Sequence, residues 1–398
     1  MSGSFRFIHC ADLHLGSGFS GLTSSDEALG KRMRDSQFQA LDAIVAKAKE
    51  EHADFVIFSG DIFDDTNETP LTRSRFADAL KEIRVPCFIS FGNHDHRRRW
   101  EDSIPFPKNA FVFPERVTNV KFVKKGETIA VITGASFSAE HPSDDPTAGA
   151  AGTDGVFSIG VFHCNLDAAG ENDRYAPCRM SSLMEKGIDY WALGHIHKRQ
   201  ILHEYPHVVY PGNTQGRNPK ESGEKGAYLV TVTEGRVSDM TFFRTGPILW
   251  QDVDTDITGK NDIDEVLESL VLPEEGSLIR IHLTGSGPAD SMARIDPDGL
   301  KELISARTGY TVTGLDIRSK PEIDLDARKD TGDFISAIIS YGRRVETSSR
   351  EELLDMICCT TTARTQRQRF ERFSDEELRQ IVRDATYMIV ERMSEGSV

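Results

Sequence analysis

Five short segments of the sequence carry side chains that could bind metal ions. Their polar residues are aspartate, asparagine and histidine, namely Asp12, His14, Asp61, Asn93, His94, Asp95, His163, His195 and His197. Carboxylate oxygens, amide oxygens and neutral imidazole nitrogens are ligands that suit manganese, iron or zinc. No cysteine thiolate belongs to this set of residues. The residue types therefore indicate a metal site built from oxygen and nitrogen ligands.

Each of these segments follows an apolar run that is typical of a buried strand, at 5–10, 55–59, 87–91, 157–162 and 190–193. In open α/β sheets, sites form at the carboxyl ends of strands, so the segments are expected to meet. Two metals about 3.5–4 Å apart need a bridging carboxylate, and Asp61 is the natural bridge. Gly60, Gly92 and Gly194 are expected to allow sharp backbone turns before the ligands.

The elements that must position these residues alternate between strands and helices. Helices are predicted over 71–83 and around Phe38 to Ala48, where apolar residues recur at helical spacing. Further strands are predicted at 129–133, 208–210, 228–232 and 240–243. This alternation predicts an α/β fold for residues 1–246.

The pattern changes beyond residue 247. Predicted strands at 250–257, 278–283 and 311–317 alternate with helices at 262–270 and 298–306, which indicates a small α+β module over 247–330. Residues 331–398 are predicted to be helical. Their apolar stripe comprises Leu378, Ile381, Val382, Ala385, Met388 and Ile389.

Composition narrows the class of protein. The 398 residues carry a net charge of -16, with 38% hydrophobic and 28% charged residues, as in a soluble globular protein. No apolar run approaches the roughly 20 residues that span a bilayer, and no signal region precedes the first strand, so a cytoplasmic protein without membrane contact is expected. The acidic balance argues against a general polyanion binder. Binding of a polyanion at one local site stays compatible with this charge, because bound cations and local basic loops can supply a positive field.

The five motifs, in this order, resemble those of the calcineurin-like metallophosphoesterases. Within that family the sequence is most similar to the SbcD-type DNA repair exonucleases, especially the YhaO-like branch. The resemblance is clearest over 5–245 and includes the segments 210–217 and 224–228. It implies a two-sheet α/β sandwich flanked by helices, followed by a small α+β capping domain and a helical C-terminal region.

The resemblance also implies roles for individual residues. Asp12, His14, Asp61 and His197 would hold one divalent metal, and Asp61, Asn93, His163 and His195 would hold the other. His94 would face the scissile phosphate, and Asp95 would orient a neighbouring group. Manganese is the implied metal, and 3′-to-5′ exonuclease action on DNA is the implied activity, with endonuclease action left open.

Partners are implied in the same way. SbcD-type nucleases pair with an SMC-like coiled-coil ATPase of the SbcC/YhaN type, and they commonly form homodimers. The apolar stripe near the C-terminus would dock such an ATPase, or else pack against the chain's own domain.

Several alternatives stay open. The basic run Arg97, Arg98 and Arg99 with Trp100, and more weakly Arg217, could contact DNA phosphates and bases, or could form a solvated face. The same metals would also serve a phosphodiesterase or phosphoprotein phosphatase acting on a small or protein substrate. A non-catalytic interaction scaffold with a decayed site is the third alternative.

Overall fold

The computed structural model describes residues 3–18, 27–64, 68–95, 102–138, 143–167, 176–320, 325–328, 332–360 and 367–395. The chain divides into two compact units. The first comprises Met1–Thr255, Leu270–His282 and Pro297–Asp316, and the second comprises Asp256–Ser269, Leu283–Asp296 and Ile317–Val398. The domain boundaries predicted after residues 246 and 330 stay predictions.

The first sheet of the first unit has six strands. They are β1 (Phe5–Cys10), β2 (Phe55–Ser59), β3 (Cys87–Ser90), β4 (Ala110–Val112), β13 (Gly226–Thr233) and β14 (Arg236–Arg244). Their order in the sheet is β14-β13-β1-β2-β3-β4. Strands β1 to β4 are parallel, and β13 and β14 extend the sheet in antiparallel pairing. Strand β2 is buried along its whole length, as its continuous apolar run predicts.

The second sheet also has six strands. They are β5 (Thr118–Lys124), β6 (Glu127–Gly134), β7 (Phe157–His163), β10 (Tyr190–Gly194), β11 (Gln200–Glu204) and β12 (His207–Tyr210), in the order β11-β12-β10-β7-β6-β5. The central strands β6, β7, β10 and β12 are parallel, and the edge strands β5 and β11 are antiparallel to their neighbours. A two-stranded ribbon, β8 (Asn165–Leu166) with β9 (Pro177–Cys178), lies beyond β7.

The two sheets pack face to face through an apolar layer. Aromatic side chains supply much of it: Phe7 stacks on Phe55 and meets Tyr190 of the second sheet edge to face, with ring centroids 5.2 Å apart in both pairs. A second layer lies between the first sheet and the helices α1 (Glu27–Glu50) and α2 (Pro70–Ile83). This arrangement confirms the predicted α/β sandwich flanked by helices.

The remaining elements of the described chain are small. A short helix α3 (Met180–Met184) precedes β10. Strands β15 (Trp250–Asp256), β16 (Leu278–Thr284) and β17 (Thr311–Ile317) form a three-stranded sheet. Along the chain, the helices α4 (Ile263–Glu268), α5 (Ala289–Ile295) and α6 (Pro297–Thr308) lie between these strands. Within the first unit, Trp250 and Leu278 of this sheet pack on Met33 of α1.

The C-terminal part of the second unit is helical, as predicted. Its helices are Leu325–Arg328, Phe334–Glu346, Arg350–Ile357, Arg367–Phe370 and Asp375–Glu395. Leu378 of the last helix is buried in a cluster with Val345, Leu353 and Leu354. No helix among the described residues is long and apolar enough to cross a membrane.

Candidate metal centre

The segments that follow β1 and β2 run side by side beyond the ends of the strands. The backbone N–H of Asp12 donates to the carbonyl oxygen of Gly60 at 3.0 Å, and that of His14 donates to Asp61 O at 2.9 Å. Parallel pairing of β1 and β2 sets this alignment. The side chains of Asp12, His14 and Asp61 are consequently brought together at the carboxyl edge of the first sheet.

The second sheet delivers its residues to the same place. His163 is the last residue of β7, and it is in register with Gly194 at the end of β10. The Ser59 hydroxyl of β2 donates to Ala192 O of β10 at 3.0 Å, so the two strand ends lie against each other. The backbone N–H of His195 then donates to the Asp12 carboxylate at 3.0 Å.

One group of side chains converges on a single point between the sheets. The Nε2 atoms of His14 and His197 lie 2.9 Å apart, and His14 Nε2 lies 3.6 Å from Asp61 Oδ2. Ligand atoms of Asp12, His14 and His197 all lie within 4.8 Å of one another. These are the four residues that the resemblance assigns to one metal.

A second group lies on the other side of Asp61. His163 Nε2 lies 3.0 Å from Asn93 Oδ1 and 3.4 Å from Asp61 Oδ2, and the rings of His163 and His195 have centroids 5.1 Å apart. Asp61 Oδ2 therefore stands between the imidazoles of His14 and His163, the position that a bridging carboxylate needs. The ligand assignments themselves stay predictions.

Glycine is required at two positions beside Asp61. Gly60 has φ +89°, the turn that the sequence predicts. At Gly92 the requirement is space, because a Cβ there would lie 2.1 Å from Asp61 Oδ1. Any side chain at residue 92 would displace the carboxylate.

The backbone of the site is strained where side chains must point inward. Asp12, His14, Asp61 and His195 have φ of 53°, 46°, 48° and 100°. Residues other than glycine rarely adopt positive φ, and such residues concentrate at functional sites. Four of the predicted metal-binding residues share this feature.

Burial sets the protonation states of these residues. Burial raises the pKa of Asp12 to about 8, and the nearby Asp61 charge acts in the same direction. Burial alone would raise the pKa of Asp61 as well, but the imidazoles around it lower that pKa to about 2. Burial lowers the pKa of His14 and of His163 to about 4, so both imidazoles are neutral at pH 7 and their nitrogens can bind metal.

Asp95 holds the backbone around the site. Its carboxylate accepts hydrogen bonds from the backbone N–H groups of Ile62, Phe63 and Gly92 at 2.8–3.1 Å. Burial raises the pKa of Asp95 well above its ordinary value, and the Asp61 charge adds to this effect. Asp95 thereby fixes the turns that carry Asp61 and Asn93.

His94 lies at the rim of the site, with 35% of its side chain exposed. Its backbone N–H donates to Asp61 Oδ1 at 2.9 Å, and its ring lies 5.2 Å from that of His14, centroid to centroid. Its Nδ1 lies 3.5 Å from Asp64 Oδ1, and the same oxygen lies 3.4 Å from His14 Nδ1. The Asp64 carboxylate thus lies close to a ring nitrogen of both His94 and His14.

Of the residues predicted to contact DNA, the structure describes Arg217 alone, and its contact with DNA stays a prediction. The Arg217 guanidinium lies 3.4 Å from Asp64 Oδ1 with 21% of its side chain exposed, so Arg217 is at the site. The segment Arg97–Trp100 lies outside the described residues, and its role stays a prediction.

Sequence reasoning missed Asp64 and Glu221. Glu221 Oε1 lies 2.8 Å from His197 Nδ1. Burial raises the pKa of Glu221, but its hydrogen bond to His197 outweighs this and the pKa falls to about 2. The only available signals were the position of Asp64 three residues beyond Asp61 and that of Glu221 between the two segments, 210–217 and 224–228, that carry the resemblance.

The residues present fit a pair of divalent cations. The donor set is oxygen and imidazole nitrogen, and two imidazole Nε2 atoms at 2.9 Å need a shared proton or a cation between them. Two buried carboxylates, Asp12 and Asp61, also lie in one site, where positive charge would stabilise both. The arrangement suits phosphate chemistry assisted by metals.

Comparison with known proteins identifies the class. Residues 5–199 match the calcineurin-like phosphoesterases, and the chain belongs to this family of metal-dependent phosphoesterases. It is 33% identical over 395 residues to a Bacillus subtilis (strain 168) protein named "Uncharacterized metallophosphoesterase YhaO", with 96% of both chains covered. The crystal structure of TT1561 of Thermus thermophilus is similar at 12% identity and a TM-score of 0.37, covering 61% of this chain and 100% of that one.

Proposed function

We propose that this protein is a DNA repair nuclease that hydrolyses phosphodiester bonds with two manganese ions, as a 3′-to-5′ exonuclease. The observation that carries the proposal is the position of Asp61 Oδ2, 3.6 Å from His14 Nε2 and 3.4 Å from His163 Nε2. Such a shared carboxylate is what a two-metal phosphoesterase requires. The resemblance to SbcD-type nucleases supports DNA as the substrate.

The proposed roles are those that the resemblance implies, and the positions of the side chains are compatible with them. Bound divalent cations lower the pKa of water and neutralise charge on the phosphate. Asp12, His14, Asp61 and His197 would hold one cation, and Asp61, Asn93, His163 and His195 the other. His94 at the rim would donate a hydrogen bond from Nε2 to a phosphate oxygen as charge develops there.

Asp64 and Arg217 extend the site toward substrate. Asp64 beside His94 Nδ1 would hold the imidazole in one orientation. The Arg217 guanidinium is partly exposed and could exchange its ion pair with Asp64 for one with a DNA phosphate.

The test is to incubate the protein with manganese and a 5′-labelled DNA duplex, beside bis(p-nitrophenyl) phosphate. We expect progressive shortening of the labelled strand from its 3′ end, and no cleavage by His94→Ala. Hydrolysis of the small diester without DNA degradation would contradict the nuclease proposal and favour a small or protein substrate. Metal binding with neither reaction would favour a scaffold.

The basic segment at 97–100 is proposed to bind the DNA backbone. Replacing Arg97, Arg98 and Arg99 together with alanine should weaken DNA binding. It should also reduce the slope of log affinity against log salt concentration by about 0.9 for each phosphate that the protein no longer neutralises. Unchanged affinity with an unchanged slope would place these arginines on a solvated face. A Trp100→Ala variant tests stacking separately, because stacking is much less sensitive to salt.

We also propose that the C-terminal helices bind a coiled-coil ATPase of the SbcC/YhaN type. These helices form a cavity of about 620 Å³ lined by apolar residues such as Tyr341, Val345 and Ile389. Met388 and Ile389 of the last helix are about half exposed, and an apolar groove of this kind suits a partner helix. Removal of residues 331–398 should abolish ATPase binding while sparing hydrolysis. Sedimentation of the full chain tests the implied homodimer.

A further inference from the structure

Glu221 accepts hydrogen bonds from four donors. Oε1 accepts from His197 Nδ1 at 2.8 Å and from Asn218 Nδ2 at 3.1 Å. Oε2 accepts from Asn213 Nδ2 at 2.6 Å and from the backbone N–H of Arg217 at 2.8 Å. The carboxylate is 13% exposed, so these partners replace most of its contact with water.

The contact with His197 decides where the imidazole carries its proton. An ionised carboxylate only accepts hydrogen bonds, so Nδ1 of His197 must be protonated. In the neutral imidazole the lone pair is then on Nε2, the atom that faces His14 Nε2 at 2.9 Å. A carboxylate behind a histidine ligand commonly sets its tautomer and ring orientation in this way.

Glu221 also ties His197 to the loop between β12 and β13. Lys225 Nζ, at the end of that loop, donates to the carbonyl oxygen of His197 at 3.1 Å, while Asn213 and Arg217 bind Glu221 itself. The loop therefore holds both the ring and the backbone of His197.

We propose that Glu221 is a positioning residue that presents His197 Nε2 to a divalent cation. The inference rests on the proposed metal centre and is independent of which phosphoester is hydrolysed. If Glu221 served only to hold the loop in place, its hydrogen bond to His197 would affect neither the metal affinity nor the tautomer of the His197 imidazole. Measurements of the metal affinity and of the His197 tautomer therefore distinguish a positioning role of Glu221 from a purely structural one.

The variant Glu221→Gln keeps the size of the side chain and removes one acceptor oxygen. Whichever way the amide is turned, its NH₂ group faces two donors, because each oxygen of Glu221 serves two of them. Glu224→Gln is the matched control, since it removes the same charge from the same loop at an exposed residue.

The measurements are Mn²⁺ affinity by chelator competition and the ¹⁵N chemical shifts of labelled His197, at a pH where the imidazole is neutral. We expect Glu221→Gln to weaken one Mn²⁺ site by about 10–100-fold. Glu224→Gln should bind Mn²⁺ like the wild type. Equal affinity in Glu221→Gln, with Nδ1 still protonated, would overturn the proposal.

The metal-free wild type gives a test that does not depend on how the variant folds. Its His197 must show a protonated Nδ1 and a bare Nε2, and the opposite tautomer would overturn the proposal. Different results would contradict the proposed function. A wild type that binds Mn²⁺ but leaves DNA intact contradicts the nuclease assignment alone, and a wild type that binds no Mn²⁺ contradicts the metal centre itself.

Discussion

Raising the pH from 6 to 9 should strengthen metal binding by way of Asp12. Burial raises the pKa of this carboxyl to about 8, so it is mostly protonated at pH 7 in the metal-free protein. A carboxylate must lose its proton to bind a cation, so affinity rises with pH until Asp12 is ionised. Asp61, with a pKa of about 2, is ionised throughout this range.

The magnitude follows from the pKa of about 8. Apparent affinity should be about tenfold weaker at pH 7 than at pH 9, and about a hundredfold weaker at pH 6. His14 and His163 add little, because their pKa values of about 4 leave both imidazoles neutral at pH 6. Burial would lower the pKa of His197, but its hydrogen bond with Glu221 raises it, so His197 steepens the dependence in the same direction.

The assay is an anaerobic Mn²⁺ titration by calorimetry at pH 6, 7, 8 and 9, in buffers of different ionisation enthalpy. We expect release of about one proton or more per protein molecule as the site fills at pH 7. Asp12→Asn should bind Mn²⁺ more weakly and with a shallower pH dependence. Wild-type affinity that stays flat from pH 6 to pH 8, without proton release, would refute the reasoning.

Thermal unfolding supplies an independent readout of the same group. The raised pKa means that folded Asp12 keeps a proton that the unfolded chain loses above about pH 4. Stability of the metal-free protein attributable to this group should therefore fall as the pH rises toward 8. Since bound Mn²⁺ stabilises the ionised form, the increase in Tm on adding Mn²⁺ should grow over the same range.

Three further predictions address hydrolysis and DNA binding. His94→Ala should abolish turnover with metal content unchanged, whereas Asp61→Asn should lower both, as metal analysis and rate measurements on the same samples would show. Asp64→Asn should reduce turnover of a small diester at saturating Mn²⁺ by about 10–100-fold, and normal turnover would argue against its support of His94. Arg217→Ala should weaken DNA binding and lower the slope of log affinity against log salt concentration by about 1. The control Arg236→Ala, on the edge strand β14, should change neither quantity. Equal effects of the two substitutions would indicate a nonspecific loss of charge.

The interior of the fold could be predicted from the sequence because burial leaves a direct pattern. Strand β2 is a continuous apolar run, and its predicted bounds of 55–59 match the structure. The edge strands β5 (Thr118–Lys124) and β11 (Gln200–Glu204) were missed. Their residues are largely exposed or half-buried, so packing imposes little apolar pattern on them.

The residues of the candidate site that lie at the ends of strands could be predicted from the sequence. Asp12, Asp61 and His163 lie at the ends of apolar runs. Parallel pairing aligns Asp12 with Asp61 in the first sheet and His163 with Gly194 in the second. Asp64 and Glu221 reach the site through turns whose paths no periodicity encodes. Among 63 acidic residues, neither has a local pattern that separates it from the solvated majority.

The positive φ angles of Asp12, His14, Asp61 and His195 bear on how such a site persists. Each left-handed residue other than glycine costs roughly 1–2 kcal/mol, and the sum is appreciable beside a typical folding stability of roughly 5–15 kcal/mol. Glycine at the four positions would relieve this strain, because it adopts positive φ without steric cost. It would also remove the four side chains that the proposed metal centre uses, so fold stability and metal binding compete at these positions.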